Sequence, residues 1–252
     1  MKQRRVLILD IETAPMLAYV FDRKEQYIRP DQIRDDWFVL AWSAKWLGNP
    51  DITYRSQQKA SNLANDKKIL TEIRDLLNEA EVVITQNGER FDGPKLNARF
   101  ILQGLRPPSP YTHYDTCKLA SKVAKFTSNS LEYLADKLNV KYKKLKHRKF
   151  PGMKLWKECL AGNKSAWDEM KIYNIRDVLA TEELFFTLRA WAPQKFPQIF
   201  DITDEASQCS TCGYEGYMRE GKLRKTRKLA YRQHQCPKCG SWQQGVKVSI
   251  NE

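Results

Sequence analysis

Two acidic residues lie at the end of the first strongly apolar segment of the sequence. Asp10 and Glu12 follow the apolar residues 6–9, a pattern that favours a buried central strand over residues 6–11. Side chains alternate along a strand, so both acids project from the same face. Two carboxylates there would repel each other unless a cation lay between them, and a hard divalent cation needs oxygen ligands on a rigid element. The alternative is that the strand ends at Leu9 and that water solvates both acids.

Two further acids lie where they could join this pair. Asp92 follows a second apolar segment, residues 82–84, and begins a predicted helix. Asp177 lies on a late predicted helix four residues after Tyr173, a spacing that places both side chains on one face. By its spacing alone, Tyr173 is typical of a helix core. Asp115 is a rival for the third acidic position, but the Asn and Phe that precede Asp92 are not found before it.

The order and spacing of these motifs resemble those of the DEDD exonucleases, DnaQ-like enzymes with an RNase H-like fold. The chain has Asp-x-Glu at residues 10–12, Asn-x-x-x-Phe-Asp at residues 87–92 and Tyr-x-x-x-Asp at residues 173–177. With a tyrosine in its third motif, the chain resembles the DEDDy branch of this family. The branch with histidine would need His five residues before Asp177, where this chain has Ile172. The resemblance covers roughly residues 5–190.

The resemblance implies a 3′→5′ exonuclease that hydrolyses the phosphodiesters of nucleic acid with two Mg²⁺ or Mn²⁺ ions. Asp10 would bridge both ions, and Glu12 and Asp177 would complete one of the two sites. Asp92 would support the second ion, mostly through water. Tyr173 would orient the attacking water, since an ordinary phenol pKa of about 10 disfavours it as a full base at neutral pH.

Three neighbouring residues are candidates for substrate contact. In the family the loop after the first motif contacts the terminal nucleotide, which by resemblance suggests Thr13. Asn87 and Phe91 would shape the same pocket, although Phe91 suits a core position as well. The pocket of the family accepts an unpaired 3′ end, so the resemblance favours single-stranded DNA as the substrate. RNA is the alternative, and no feature of the sequence reads a 2′-hydroxyl decisively. A structure-selective endonuclease with the same metal centre, or a nucleic-acid-binding protein without catalysis, would also fit.

Four of the six cysteines form two Cys-x-x-Cys pairs near the C-terminus, separated by 23 residues. Two close pairs of thiolates suit a tetrahedral Zn²⁺, and a site filled by four sulfurs has no open position for catalysis. The segment resembles a zinc ribbon with one structural Zn²⁺, and free thiols, redox pairs or disulfides are the alternatives. The predicted ligands are Cys209, Cys212, Cys236 and Cys239.

The charge of the chain predicts a polyanionic partner. Its 252 residues include 43 Lys and Arg against 30 Asp and Glu, a formal net charge of +13. Residues 209–252 alone contain nine basic and three acidic residues, interleaved with aromatic ones such as Tyr217 and Tyr231. Cations for phosphates and rings for base stacking favour single-stranded nucleic acid. The alternative is a charged surface that only keeps a small module soluble.

These residues need elements to position them, and hydrophobic periodicity predicts an α/β fold. We expect an RNase H-like mixed central sheet flanked by helices in residues 1–195, and a basic zinc-ribbon module in residues 205–252.

The basic run 141–150 suits a solvated loop and a substrate contact equally well. No segment has the ~20 apolar residues of a membrane span, so the protein is predicted to be cytoplasmic. Strands are predicted at 6–11, 37–47, 52–56 and 81–87, and helices at 62–80, 93–104, after Ser130 and at 165–191.

Overall fold

The computed structural model describes residues 1–24, 27–143, 149–225 and 229–248. The strands are β1 (Lys2–Gln3), β2 (Val6–Thr13), β3 (Leu17–Ala18), β4 (Ile33–Asp35), β5 (Val39–Trp46), β6 (Ile52–Ser56), β7 (Val82–Thr85), β8 (Thr112–Asp115), β9 (Phe200–Asp201), β10 (Arg219–Glu220), β11 (Arg224–Lys225), β12 (Ala230–Gln235) and β13 (Trp242–Val248). The helices are α1 (Lys67–Glu79), α2 (Asp92–Leu102), α3 (Thr116–Val123), α4 (Leu131–Lys137), α5 (Lys154–Leu160) and α6 (Lys164–Leu188). Short 3-10 turns span Pro30–Gln32 and Arg189–Trp191.

Five strands form a mixed central sheet in the spatial order β6-β5-β2-β7-β8. β5 is antiparallel to β2 and β6, whereas β7 is parallel to β2 and β8. The parallel pairs follow from the connections, because α1 returns the chain before β7 and α2 returns it before β8. This arrangement confirms the predicted α/β fold with an RNase H-like mixed sheet flanked by helices.

The two faces of β2 contribute to separate hydrophobic clusters. Leu7 and Leu9 pack with the apolar residues of α1 and α2 on one side of the sheet. Val6 and Ile8 pack with α3, α4 and the second half of α6 on the other side. Strand alternation gives the two acids of the first motif the parity of Val6 and Ile8, so they face α6.

Helix α1 begins at Lys67, five residues later than the start predicted from periodicity. The reason is Asp66, whose fully buried carboxylate binds residues of β5 and α2. Its Oδ1 lies 2.7 Å from Arg99 Nη2 of α2, and its Oδ2 accepts from the Val39 amide of β5 at 2.9 Å. These contacts fix the chain before the helix, and the preceding residues form turns.

Two predicted helices form close to their expected limits. The Ser130 hydroxyl accepts from the Tyr133 amide and caps α4 as predicted. Helix α6 spans Lys164–Leu188 and continues as the 3-10 turn, close to the predicted 165–191. Helices α3 and α5 were not predicted; Asp115 starts α3 by accepting from the amides of Cys117 and Lys118.

Residues 196–201, between the two predicted parts of the chain, pack against the first part. Phe196 and Ile199 belong to the same hydrophobic cluster as Val6 of the central sheet. β9 pairs with β1, and Arg4 Nη2 lies 2.7 Å from Asp201 Oδ1. In the C-terminal part, β12 pairs with β10, β11 and β13. The boundaries at residues 195 and 205 stay a prediction.

Some features of the sequence lie outside the described residues. They include residues 144–148 of the basic run, with His147, and Arg227 and Lys228 of the C-terminal part. Among the helices that the structure does describe, none has the length and apolar character needed to cross a membrane.

Candidate active site and cysteine cluster

Strand β2 and helix α6 bring three carboxylates together. One oxygen each of Asp10, Glu12 and Asp177 lies within 4.8 Å of the corresponding oxygens of the other two. Glu12 and Asp177 are buried. A buried ion pair between Lys45 Nζ of β5 and Glu182 Oε1 of α6, 2.5 Å apart, helps to fix the helix against the sheet.

Asp92 lies beside these three carboxylates at the start of α2. It is buried and lines the same cavity as the cluster. Its Oδ1 accepts from the amide of Ile11 at 3.0 Å, the residue between the two acids of β2. The fourth acid of the motifs is thus fixed to the edge of the strand that presents the first two, and its role towards a second cation stays a prediction.

Asn174 of α6 holds the first carboxylate in place. Its Nδ2 donates to Asp10 Oδ2 at 2.6 Å and to the Asp10 carbonyl oxygen at 3.2 Å. Sequence reasoning assigned it no role, although it lies three residues before Asp177 on the same helix face. We interpret Asn174 as a positioning residue.

The electrostatics of the cluster favour a bound cation. Burial raises the pKa of Asp10 well above its ordinary value, and the neighbouring Asp92, Asp177 and Glu12 raise it further. Burial likewise raises the pKa of Asp92 to about 7. Carboxylates that disfavour one another's charge become stable as anions once a cation lies among them. An all-carboxylate donor set suits Mg²⁺ or Mn²⁺, so these residues fit the predicted ions.

We expect Mn²⁺ to raise the melting temperature of the chain more at about pH 8 than at about pH 5.5. Below the ordinary carboxyl pKa of 3.8, Asp10 and Asp92 are protonated in both the folded and the unfolded chain. As pH rises from that value to their raised pKa values, the unfolded chain loses these protons before the folded chain does, so the free energy of unfolding of the metal-free chain falls. Above the raised values the metal-free folded chain carries charges that repel. A bound cation removes that cost, whereas protons compete with it at lower pH.

Scanning fluorimetry at both pH values would measure this shift, which should reach about 5 °C at the higher pH with saturating Mn²⁺. Asp168→Asn changes an exposed acid of the same helix and serves as the control. Equal shifts at both pH values, or a full shift in Asp10→Asn, would contradict a cation site at this cluster.

The carboxylates open into a cavity of about 480 Å³. Asn87 lines it from the loop after β7, where its backbone takes a left-handed φ of 67°. Phe91 lines it too and is 38% exposed, so its ring does not belong to the core. Thr13 lines an adjoining cavity of about 300 Å³ together with Glu12 and Phe91. The predicted substrate residues therefore surround the acids, and their contacts with substrate stay predictions.

Tyr173 reaches the same cavity from α6. It is 6% exposed, and its ring meets that of Trp156 edge-on with centroids 6.1 Å apart. Burial raises the pKa of its phenol above 10, and the charges of Glu12 and Asp177 and a hydrogen bond with Asp177 add to the shift. The hydroxyl is therefore protonated at neutral pH and can orient a ligand without acting as a base.

The rival acid, Asp115, has a structural role. Its Oδ1 accepts from the amides of Asn87, Cys117 and Lys118, and its Oδ2 accepts from the amide of Glu89, all at 2.9–3.1 Å. Its carboxylate ties the loop after β7 to the start of α3, and it is not among the residues that line the cavity of the carboxylate cluster.

The sequence did not predict some of the residues that line this cavity. Gln86 and Asn129 line it, and Gln86 Nε2 donates to the Asn129 carbonyl oxygen at 2.7 Å. Cys117, one of the two cysteines outside the Cys-x-x-Cys pairs, also lines it. No spacing rule relates residues 86, 117 and 129, because their proximity comes from the packing of α3 and α4 beside β7.

The sequence profile of the RNase_H superfamily matches residues 43–189, which is more than half of the chain. The chain belongs to the RNase H superfamily. The matched segment contains Asp92, Tyr173 and Asp177. Among solved structures, the chain is similar to the family B DNA polymerase from the hyperthermophilic archaeon Pyrobaculum calidifontis, with 14% identity and a TM-score of 0.49. The similarity covers 75% of this chain and 26% of the polymerase chain, so this chain spans about a quarter of the polymerase. No curated protein sequence matches the chain.

Outside the segment that places the chain in the RNase H superfamily, four cysteine sulfurs form a second cluster. Cys209 Sγ lies 3.8 Å from Cys239 Sγ, and Cys212 Sγ lies 3.7 Å from Cys236 Sγ. Four thiolates around Zn²⁺ at a bond length of about 2.3 Å would be about 3.8 Å apart in a tetrahedron. A disulfide would need sulfurs about 2.05 Å apart, and none of these four cysteines forms one in this structure. The donors and their spacing therefore fit the predicted structural Zn²⁺.

Both cysteine pairs adopt the same turn. The amide of Gly213 donates to the Cys209 carbonyl oxygen at 3.0 Å, and the amide of Gly240 donates to that of Cys236 at 2.9 Å. The two glycines have left-handed φ values of +70° and +79°, which a residue with a side chain rarely adopts. Each turn folds its two thiols towards one point, as a four-cysteine metal site requires.

Proposed function

We propose that this RNase H superfamily member is a metal-dependent 3′→5′ exonuclease of the DEDDy type. The observation that carries the proposal is the convergence of Asp10, Glu12 and Asp177 in the lining of one cavity. That cavity is also lined by Asp92 and Tyr173, so all five residues of the resemblance share one site. Single-stranded DNA is the favoured substrate and RNA the alternative.

In the proposed reaction, a water oxygen attacks phosphorus and the bond to the 3′-oxygen of the preceding nucleotide breaks, which releases a mononucleotide. Two bound cations would supply an activated water and stabilise the charge on the leaving oxygen. Asp10, held by Asn174, would contact both ions. Glu12 and Asp177 would bind one ion, and Asp92 would support the other.

Tyr173 would hold the attacking water by hydrogen bonding. Its raised phenol pKa keeps the proton on the hydroxyl, so it does not remove a proton from the water. The cavity of about 480 Å³ lies within the range of ligand pockets, roughly 300–1,000 Å³, and would accept the terminal nucleotide.

The decisive experiment is digestion of single-stranded oligonucleotides labelled at the 5′ end. With Mg²⁺ we expect a ladder that shortens stepwise from the 3′ end, and no cleavage when Mg²⁺ is omitted. Omission is preferable to a chelator, because a chelator would also remove Zn²⁺ from the cysteine cluster. Parallel DNA and RNA substrates, single- and double-stranded, identify the preferred sugar and strand state.

Other products would contradict the proposal. Early release of the labelled 5′ nucleotide would show that the enzyme digests from the 5′ end. Cleavage of a circular single strand would indicate an endonuclease with the same metal centre. Binding without any cleavage under all metal conditions would favour a nucleic-acid-binding protein.

Tyr173→Phe should lower kcat by about 10²-fold, because it removes one oriented hydrogen bond to the water. The Mn²⁺-dependent rise in melting temperature should persist, since the carboxylates are unchanged. Tyr142→Phe, at a ring that packs against the core and does not line the cavity, is the matched control. Full activity of Tyr173→Phe would exclude the hydroxyl from the reaction.

A further inference from the structure

The sheet of the cysteine module presents cations and aromatic rings on one face. Register places Arg219 opposite Gln235, Gln235 opposite Trp242, and Tyr231 opposite Lys247. Directly opposed residues of antiparallel strands share a face. A register shift between Tyr231 and Gln233 brings Trp242 and Lys247 of β13 to the same face, although they are five residues apart. We call this face the outer face; its charged and aromatic members are Arg219, Arg224, Tyr231, Trp242 and Lys247.

The opposite face of the sheet is partly covered. His234 and Gln243 have the other parity and are buried. Gln243 Nε2 donates to the carbonyl oxygens of Gln208 at 2.6 Å and Glu205 at 2.8 Å, which holds this face against the preceding loop. Part of the opposite face is therefore covered, whereas Arg219, Arg224, Trp242 and Lys247 of the outer face are all exposed.

The ring of Trp242 is partly exposed on the outer face and packs against the backbone at Gly221. It is 48% exposed, although Gly221 lies directly against its ring. A Cβ at Gly221 would come within 2.3 Å of the indole, so only glycine allows the ring this close to the backbone. One side of the indole is supported by the protein, and the exposed part is available for stacking.

The charge of the outer face is positive. Arg219, Arg224 and Lys247 are exposed, and within the described strands no carboxylate shares their parity. Glu220 has the opposite parity and forms an ion pair with Arg232. Three glutamines of β12 and β13 lie between the cations and the rings and can hydrogen-bond to bases or sugars.

We propose that the outer face binds single-stranded nucleic acid without sequence preference. The three cations would contact phosphates, and bases would stack on Trp242 and Tyr231. The two rings lie four residues apart along the strands, about 13 Å, so they would hold different bases. Duplex nucleic acid would not bind in this way, because its bases are already stacked. This proposal rests on the proposed nuclease function in one respect: the strand that the outer face binds is the strand that the nuclease cleaves.

Binding can be measured apart from cleavage by fluorescence anisotropy with the full chain carrying Asp177→Asn. Labelled oligothymidylate and oligouridylate are the probes and distinguish DNA from RNA. Trp242→Ala should weaken binding of at least one probe about tenfold and leave duplex binding unchanged. Trp242→Phe should restore most of the affinity because it keeps a stacking ring. Trp191→Ala, at an exposed tryptophan of the 3-10 turn, is the aromatic control.

Salt dependence tests the cations. Arg224→Gln should reduce the slope of log affinity against log salt by about 0.7, the value for one phosphate contact of a single strand. Lys225→Gln removes a positive charge from the next residue, which lies on the opposite face of β11, and should change the slope much less. Metal analysis must find one zinc per chain in each variant, which shows that the module is folded.

Two results would overturn the proposal: unchanged affinity of Trp242→Ala for both single strands, or equal slopes for Arg224→Gln and Lys225→Gln. Failure of the nuclease proposal has a different signature, namely Trp242-dependent binding by a chain that cuts no substrate with Mg²⁺. Conversely, normal stepwise cleavage with an affinity and a KM that Trp242→Ala leaves unchanged would remove only the role of the outer face.

Discussion

Asp177→Asn should lower the rate of nucleotide release at least about a thousandfold, a loss of roughly 4 kcal/mol of transition-state stabilisation. The substitution keeps the size of the side chain but removes the negative charge from one of three clustered carboxylates. Because Asp177 lies on α6 and the other two acids lie on β2, its loss also removes the only member of that cluster supplied by the helix. Single-turnover release from a labelled 3′ end measures the effect.

Asp168→Asn is the matched control for this prediction. It makes the same chemical change on the same helix at an exposed position, so it should cleave like the parent chain. Without metal, Asp168→Asn should melt like the parent chain, whereas Asp177→Asn should melt at a higher temperature, because one repelling carboxylate is gone. Cleavage by a folded Asp177→Asn at even a tenth of the parent rate would exclude the proposed metal centre.

The sequence predicted the carboxylates because their positions follow from local rules. Period-two alternation puts Asp10 and Glu12 on one face of β2, and a spacing of four puts Tyr173 and Asp177 on one face of α6. The apolar residues of the same elements then decide which faces meet. α6 buries Met170 on one side of this acidic stretch and Val178 on the other, so the helix presents the acids to β2 when both apolar regions pack.

The supporting contacts were not predictable in this way, because they join residues that are distant in the chain and share no repeat. Asn174 bonds to Asp10 across 164 residues, and Asp66 bonds to Arg99 across 33. An isolated Asn or Asp in a sequence gives no indication of its partner. Asp115 shows the opposite problem, since its residue type suggested a metal ligand while four backbone amides occupy its oxygens.

Cys236→Ser should abolish zinc binding and unfold the cysteine module while the central sheet stays folded. A structural Zn²⁺ held by four thiolates contributes about 10–16 kcal/mol in small zinc-binding peptides, more than a module of this size can replace. The cysteines pack only with Met218 and Tyr214 in a cluster of their own among the described residues, separate from the three clusters that enclose the sheet. Loss of the metal should therefore be felt locally.

Zinc analysis should find one ion per parent chain and none in Cys236→Ser, and limited proteolysis should then cut within residues 209–248. Cys117→Ser is the matched control, because Cys117 lies outside the sulfur cluster and should leave the zinc content at one. The module also contacts the segment that precedes it, because the amides of Ile199 and Phe200 donate to the Ser210 carbonyl oxygen, so the main melting transition should fall by only a few degrees. A zinc-free parent chain with an intact, protease-resistant module would show that the four sulfurs need no metal to stay together.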